Sequence, residues 1–288
     1  MNRLCTQIAV AVLMTCFAVA NAGAQIKVGS VVNSRGGSGW TLDGSNMTVT
    51  RSKLLSSANF GAGGTVSSPI TITDTAGTSG SINAALLANF NVLFIGYFPT
   101  GTFTAAELAA IQTWVNGGGA LIATCDSASF ADVCSAFGHT PTTGAISPVV
   151  PTAVGATHPV FAGPFGTAPS ITMQFTQGFF PSANGATVIG QDSSVAPNAT
   201  VLVQTLGSGR ALFLSDVDLI SNFSLSVGTT ISNNNDRFLG NLFAFAGSGA
   251  APPPPPVSNV EVPTLDQAAL VLLALLLFGL GWRRLRQG

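Results

Sequence analysis

The pattern that limits the fold of this chain most is a buried strand, an amphipathic helix and a second buried strand, joined by short loops. The strands are the uncharged runs at 91–96 and 120–124, whose length and apolar character are typical of strands covered on both faces. Between them, 105–115 carries apolar side chains at helical spacing. Thr104, with Glu107 three positions later, predicts a capping box at the start of this helix. Two buried strands linked through a helix indicate a parallel sheet covered by helices.

The flanking sequence extends this pattern in both directions. Further strands are predicted at 26–33, 69–74 and 210–215, with short ones at 171–175, 186–190 and 201–204. Helices are predicted at 81–90, from Ser127 or Ser129 to Phe137, and at 235–246 with Asn234 or Asn235 as the cap. Residues 47–57 fit either a helix or a strand. The predicted fold class is α/β, with a single open, mostly parallel sheet and helices on both faces.

Four stretches in this order carry a family resemblance. They are NVLFIGYFP at 91–99, AELAAIQTWVNGGGALIATCDS at 106–127, THPVFAG at 157–163 and GRALFLSDVDLISN at 209–222. The chain resembles the class I glutamine-amidotransferase-like, flavodoxin-like superfamily.

That resemblance places Cys125 at the superfamily's nucleophile elbow, G-x-C-x-G. Here Ala123 and Ser127 replace the two glycines, and neither His139 nor His158 belongs to the family's H-x-E pattern. A nucleophilic cysteine needs a base within hydrogen-bond reach. The resemblance therefore implies an amidotransferase-like domain that has lost its catalytic set.

Residues 1–24 have the layout of a secretory signal peptide. Arg3 supplies the positive start, an apolar run follows at 8–20, and small residues come next, so that cleavage after Ala22 or after Ala24 fits equally well. The expected domains are a signal peptide at 1–24, an exported α/β domain at 25–250, a Pro-rich linker at 251–261 and a C-terminal sorting signal at 262–288.

The C-terminal segment predicts a membrane anchor. The apolar stretch at 265–282 is close to the shortest helix that crosses a bilayer, for which about 20 residues are typical. Trp282 ends it as an interfacial aromatic residue, and Arg283, Arg284 and Arg286 form the cytoplasmic stop. This order anchors the chain in the inner membrane and places the large domain in the periplasm.

The motif before this helix consists of Val262, Pro263, Thr264 and Leu265. It resembles the IPTL-type C-terminal sorting signal of Gram-negative bacteria, with valine in place of isoleucine and Ala-Ala at 268–269 where that family has Trp-Gly. The resemblance implies processing by an exosortase-type enzyme and transfer to the cell surface or the extracellular space. The alternative is a protein that is never cut at the tail and stays in the membrane.

Charge and motifs exclude several classes of function. Between residues 25 and 251 the chain has nine acidic and six basic side chains, without the clustered Lys and Arg of a nucleic-acid-binding surface. No Walker loop, Rossmann fingerprint or zinc-ligand spacing occurs in the sequence, so that no cofactor is expected.

The exported domain holds two cysteines and one pair of close carboxylates that are candidates for chemistry. Cys125 and Cys134 are expected to form a disulfide, because such bonds persist outside the cytoplasm; a free structural thiol and a catalytic Cys125 are the alternatives. Asp216 and Asp218 follow a predicted strand, at the edge where open α/β sheets bind ligands. Their oxygens suit a hard cation, and capping or loop hydrogen bonds are the other use of such residues.

These features predict an envelope protein whose α/β domain is not an enzyme. It would act as a structural or binding module, with extracellular polysaccharide or matrix as its partner. A cysteine-dependent, amidotransferase-like hydrolase anchored in the envelope is the alternative. Oxidation of Cys125 to Cys134 would argue against the hydrolase, and an unusually reactive free Cys125 would favour it.

Overall fold

An eight-stranded sheet forms the centre of the protein in a computed structural model, which describes residues 24–144, 148–175, 178–194 and 197–249. The strands, in chain order, are β1 (Ile26–Val31), β2 (Ile70–Thr75), β3 (Val92–Ile95), β4 (Ala120–Thr124), β5 (Thr142–Thr143), β6 (Val149–Pro151), β7 (Ala162–Gly163), β8 (Gly166–Thr167), β9 (Gly178–Phe179), β10 (Thr187–Asp192), β11 (Ala199–Leu206) and β12 (Gly209–Leu214). The central sheet has the order β2-β1-β3-β4-β12-β11-β10-β6. β5 pairs with β9, and β7 pairs with β8, in two small sheets.

The first five strands in the order of the central sheet run parallel to one another, from β2 to β12. The pairings of β12 with β11, of β11 with β10 and of β10 with β6 are antiparallel. Every residue of β3 and β4 is buried, as expected for parallel strands covered on both faces. The prediction of an open, mostly parallel sheet is confirmed, whereas the two small sheets and the edge strand β6 were not predicted.

Helices cover both faces of this sheet. They are α1 (Thr48–Leu55), α2 (Ala84–Leu87), α3 (Ala105–Asn116), α4 (Asp132–Ala136) and α5 (Asn234–Gly247). Leu54 of α1 and Phe238 of α5 belong to one apolar core, whereas Leu87 of α2 and Trp114 of α3 belong to a second. Alternate residues of β4 enter the two cores, which places these cores on opposite faces of the sheet.

The predicted capping box at the start of α3 is confirmed. The Thr104 hydroxyl accepts a hydrogen bond from the Glu107 N–H at 3.2 Å, and the Glu107 carboxylate accepts one from the Thr104 N–H at 3.0 Å. Two of the backbone donors that a helix start leaves without partners are satisfied in this way.

Several predicted helix bounds differ from the structure. The residue that caps α5 is Asn233, because its side chain accepts the N–H of Asp236 at 2.8 Å, so that Asn234 and Asn235 already lie inside the helix. The helix expected at 81–90 is limited to α2. The helix expected to start at Ser127 or Ser129 is split into a 3₁₀ turn, Ala128–Phe130, and α4. Residues 47–57, which fit a helix or a strand, contain α1.

The strand predicted at 171–175 was wrong. Only Ile171 makes a strand-like bridge, to Val149. The next residue is bound by a side chain of α5 instead: the Thr172 N–H donates to Asn235 Oδ1 at 3.1 Å, and Asn235 Nδ2 donates to the Thr172 carbonyl at 2.8 Å. Because a side-chain amide takes both backbone groups of Thr172, this segment cannot extend a sheet at that residue.

Both predicted targeting segments fall outside the described residues, apart from Ala24. The contacts place residues Met1–Pro253 in one unit and Pro254–Gly288 in another. Within the part of the chain that the structure describes, no helix has the length and apolar character needed to cross a bilayer.

Candidate functional site

The two cysteines of the domain are joined. Cys125 directly follows β4, Cys134 lies in α4, and their sulfur atoms form a disulfide with the two Cα atoms 6.2 Å apart, a separation within the ordinary range for such bonds. Both residues are buried. The predicted Cys125–Cys134 disulfide is confirmed, and it holds in oxidised form the sulfur that the superfamily resemblance places at the nucleophile position.

Both histidines are packed against aromatic rings. His139 is buried, its Nε2 lies 3.1 Å from Gln204 Oε1, and its ring contacts that of Phe213 at 4.7 Å. Burial lowers the pKa of His139, which favours the neutral ring, although the hydrogen bond to Gln204 opposes the shift.

His158 lies at the other end of the sheet from Cys125. Its ring contacts that of Phe245 at 4.7 Å, and the Arg210 guanidinium covers the same ring. Arg210 is near the start of β12, whereas Leu214 ends this strand beside Thr124. The two ends of β12 are therefore about 13 Å apart, since this is the length that four residues of extended chain span. Burial, and then the charge of Arg210, lower the pKa of His158.

Three carboxylates meet at the carboxyl ends of two parallel strands. Thr124 of β4 is level with Leu214 of β12, so that Asp126 and Asp216, each two residues further on, emerge side by side. Asp126 Oδ1 accepts the N–H of Val217 at 2.9 Å, and Asp216 Oδ1 accepts the N–H of Asp218 at 2.7 Å. We refer to Asp126, Asp216 and Asp218 as the acidic cluster.

Asp218 lies within the 3₁₀ turn Val217–Ile220 that follows β12. It is 2% exposed, and its Oδ1 accepts the hydroxyl of Ser221 at 2.6 Å. Its Oδ2 is buried and has no hydrogen-bond partner of normal geometry. An unpaired buried carboxylate oxygen is costly, and such an atom is a common mark of a site that a ligand completes.

Burial dominates the electrostatics of the acidic cluster. It raises the pKa of Asp126 to about 7 and that of Asp216 to about 8, and the charges of the neighbouring carboxylates add to both shifts. Burial also raises the pKa of Asp218. The three ion pairs found among the described residues lie elsewhere in the domain. The cluster therefore holds protons near neutral pH and can both donate and accept hydrogen bonds.

These shifts carry a stability cost with a definite sign. The folded pKa values of Asp126 and Asp216 lie above the ordinary value of 3.8, so that the folded chain binds more protons than the unfolded chain in the window between pH 4 and 8. The free energy of unfolding must therefore fall as the pH rises through this window.

Tyr97 brings a third parallel strand to the same place. It lies two residues beyond the end of β3, as Asp126 and Asp216 lie two residues beyond β4 and β12. Burial, and then the charges of Asp126 and Asp216, raise the pKa of Tyr97 to about 12. Its hydroxyl therefore keeps its proton and can donate a hydrogen bond at the edge of the cluster.

Aromatic rings surround these polar groups. Tyr97 stacks on Phe130, with ring centroids 3.8 Å apart, and its N–H donates to the carbonyl of Trp40 at 3.3 Å. The Trp40 ring contacts that of Phe223 at 5.6 Å, and Phe223 contacts Phe175 at 5.3 Å. We refer to Trp40, Phe130, Phe175 and Phe223 as the aromatic rim.

The rim is joined to the acidic cluster through the backbone. Phe223 donates its N–H to the Ser221 hydroxyl at 3.2 Å, and this hydroxyl donates to Asp218. The N–H groups of Gln174 and Phe175 lower the pKa of Asp218, against the larger effect of burial. Phe175 and Phe223, the two most exposed rings of the rim, therefore lie close to the Asp218 carboxylate.

Sequence reasoning found only part of this site. It identified Asp216 and Asp218 as candidate site residues, and the structure places them together. It also identified Cys125, which the structure places in the disulfide next to Asp126. It missed Asp126, Tyr97 and the aromatic rim. The recurring position two residues past a parallel strand could have revealed Tyr97 and Asp126, since such residues share one edge of the sheet.

Across the described ranges, no group of three or more His, Cys, Asp or Glu side chains has a geometry that could hold a metal ion. A cavity of about 370 Å³ lies beside Asn59 and Phe165, and one of about 470 Å³ lies along β2 beside Lys27. Carboxylates, cysteines and histidines are absent from the linings of these two cavities.

Comparison with protein families identifies a known motif in the C-terminal segment. Residues 262–287 match the family model described as IPTL-CTERM motif. The chain carries an IPTL-CTERM sorting motif. This motif marks an exported, cell-surface protein of the envelope that a sorting enzyme such as an exosortase processes. The predicted sorting signal is thus confirmed, despite the Ala-Ala at 268–269.

Solved structures share the fold of the described domain. The mmIFT52 N-terminal domain is 12% identical with a TM-score of 0.55, over 79% of this chain and 99% of that domain. The Cytoplasmic Protein STM1381 from Salmonella typhimurium LT2 is 15% identical with a TM-score of 0.51, over 78% of this chain and 99% of that one. These likenesses show the fold alone, an α/β architecture with an open, mostly parallel sheet. No curated protein matches this chain in sequence.

Proposed function

We propose that the IPTL-CTERM protein is a non-catalytic binding module of the cell surface, with extracellular polysaccharide or matrix as its partner. In this proposal the chain is anchored in the inner membrane with its α/β domain in the periplasm, and an exosortase-type enzyme then processes the tail. The observation that supports a non-catalytic role most directly is the Cys125–Cys134 disulfide. A cysteine nucleophile acts as a thiolate, and a sulfur held in a buried disulfide cannot do so.

The positions of the histidines add to this argument. The His139 ring bonds to Gln204, and His158 lies beside Arg210 at the opposite end of the sheet. Neither arrangement resembles a base held next to a nucleophile by a third group. The competing function, a cysteine-dependent hydrolase, would require the disulfide to be reduced so that Cys125 carries a free thiol.

Thiol labelling of the protein isolated from the cell surface tests the non-catalytic role. Under denaturing conditions, which expose both buried positions to the label, we expect no labelled cysteine before reduction and two after it, at Cys125 and Cys134, because the two sulfurs are bonded to each other. Intact mass after alkylation measures this count. As a control, Cys134→Ser should give one labelled thiol without reduction. A free Cys125 in the wild type that reacts unusually fast near neutral pH would support the hydrolase instead.

Processing of the tail gives a second prediction. Substitution of Pro263 and Thr264 by alanine should leave the protein uncut and increase its membrane-bound fraction at least tenfold, because these residues belong to the matched motif. Fractionation and intact mass of the released material measure this, since processed protein should lack the arginine tail. Val262→Ile, which restores the family residue, is the matched control and should be released as well as wild type. Released wild-type protein that retains Arg286 would contradict processing.

A further inference from the structure

We infer that the acidic cluster, Tyr97 and the aromatic rim together form a binding site for a neutral sugar residue of a polysaccharide. In this site an apolar face of the sugar ring lies against Phe175 and Phe223, and its hydroxyl groups bond to the carboxyl groups and the tyrosine. The inference deepens the proposed function, on which it rests, by giving the ligand class and the location of the site.

The exposed aromatic surface is the first step of the argument. Among the described residues, the large apolar side chains with most exposure include two aromatic ones, Phe175 at 49% and Phe223 at 46%. These two rings touch each other, and Trp40 extends the same surface. The other exposed large apolar residues, Leu55, Val154 and Val227, are aliphatic. Contiguous aromatic surface beside polar groups is typical of a ligand site rather than of ordinary solvent contact.

The second step is the set of hydrogen-bonding groups beside that surface. Asp218 Oδ2 is buried and has no hydrogen-bond partner of normal geometry, so that it can accept a ligand hydroxyl beside the N–H groups of Gln174 and Phe175. Tyr97 supplies a donor, and the carboxyl groups of Asp126 and Asp216 supply donors or acceptors according to the protons they share. A sugar hydroxyl is both a donor and an acceptor, so that it matches such a mixed set.

The third step is charge. The acidic cluster lacks a basic partner within the described ranges, so that it offers no positive charge to pair with a phosphate or a uronic acid. Burial keeps protons on the carboxyl groups near neutral pH, which weakens any attraction for an amine. The groups of this site therefore complement a neutral polyhydroxyl ligand better than an anion or a cation.

Binding can be measured on the full-length protein in detergent micelles, by migration in gels that contain a polysaccharide. The probes are the neutral fraction of polysaccharide washed from the producing cells, alginate as an anionic polymer and chitosan oligosaccharide as a cationic one. We expect the wild type to bind the neutral fraction. Phe223→Ala and Asp216→Asn should each weaken this binding about tenfold, equivalent to about 1.4 kcal/mol.

Leu55→Ala is the matched control, because Leu55 is 49% exposed on α1 and outside the rim. It should bind as the wild type does. Trp40 provides a second readout, since a sugar against the rim should change tryptophan fluorescence in the wild type and less in Phe223→Ala, even if a variant is less stable.

The outcomes separate the site from the proposed function. Wild-type binding that is unchanged by Phe223→Ala and Asp216→Asn would overturn the site and leave the binding module in place. Preference for alginate or chitosan over the neutral fraction would overturn the assigned ligand class. Failure of the wild type to bind any polysaccharide would remove both the site and the polysaccharide partner.

Discussion

Replacement of Arg35 by alanine is expected to lower the free energy of unfolding by about 3–5 kcal/mol. The Arg35 guanidinium donates two hydrogen bonds to the Glu107 carboxylate, at 2.8 and 2.6 Å, and both side chains are almost completely buried. It also donates to the carbonyls of Ala76, Thr78 and Thr102, and lies over the Phe103 ring. Without Arg35, the buried Glu107 carboxylate loses the opposite charge that it is paired with, and an unpaired buried charge is strongly destabilising.

The pH dependence of this effect has a definite direction. Burial alone would raise the pKa of Glu107, but the hydrogen bonds from Arg35 and from the backbone N–H groups of Thr104 and Ile82 outweigh it and lower the pKa to about 2. The stabilisation by Glu107 is therefore complete above its ordinary pKa of 4.5 and is lost as the pH falls towards 2. The difference between wild type and Arg35→Ala should accordingly be smaller at pH 3 than at pH 7.

Urea unfolding at the two pH values measures both effects. Arg51→Ala is the matched control, because Arg51 makes a similar two-bond pair with Asp74, at 2.7 and 3.0 Å, with both side chains partly exposed. Exposed pairs contribute about 0–1 kcal/mol. A loss below about 1 kcal/mol for Arg35→Ala, or equal losses for the two variants, would show that the buried pair does not stabilise the domain as argued.

Gly178→Ala is expected to destabilise the domain by about 3 kcal/mol and to disturb the acidic cluster. A Cβ atom on Gly178 would lie 2.2 Å from the carbonyl oxygen of Asp126 and 2.2 Å from that of Ser215. Both are backbone atoms at the ends of β4 and β12, so that β9 must move away. The Gly178 N–H also lowers the pKa of Asp216, against the larger effect of burial, so that its displacement should raise this pKa further.

Gly117→Ala is the control for this second prediction. Gly117 has a negative φ of −80°, and a Cβ atom there would meet nothing closer than 3.5 Å. We expect its free energy of unfolding to stay within about 0.5 kcal/mol of wild type. Urea unfolding measures the stability of each variant. Affinity for the neutral polysaccharide fraction shows whether the acidic cluster still binds its ligand. A fully stable Gly178→Ala that keeps wild-type affinity would contradict the close approach of β9.

Local patterns in the sequence were enough to predict much of the fold. The strand, capped helix and strand from 91 to 124 were correct because Thr104 and Glu107 act across three residues, and because buried parallel strands have uncharged sequences. The strand expected at 171–175 failed for the opposite reason. The backbone of Thr172 is bound by Asn235, 63 residues further along the chain. No local sequence pattern predicts a contact at this distance.

The candidate site was harder to predict than the fold, because its parts come from separate strands. Asp126 and Asp216 are 90 residues apart and meet only because β4 and β12 are parallel neighbours in register. Trp40, Phe175 and Phe223 come from three loops and become one surface only after the sheet is assembled. The sorting motif could be recognised directly, since its residues are consecutive in the chain.

The pairing of β4 with β12 also sets an order of events during synthesis and export. β4 cannot pair with β12 until the ribosome has synthesised the chain as far as residue 214. Such long-range pairing is slow compared with the formation of local contacts. Cys125 and Cys134 are only nine positions apart, so that their sulfurs can meet while the rest of the domain is still unfolded. Oxidation should therefore precede assembly of the domain, and chains that fold under reducing conditions should stay protease-sensitive for longer than oxidised ones.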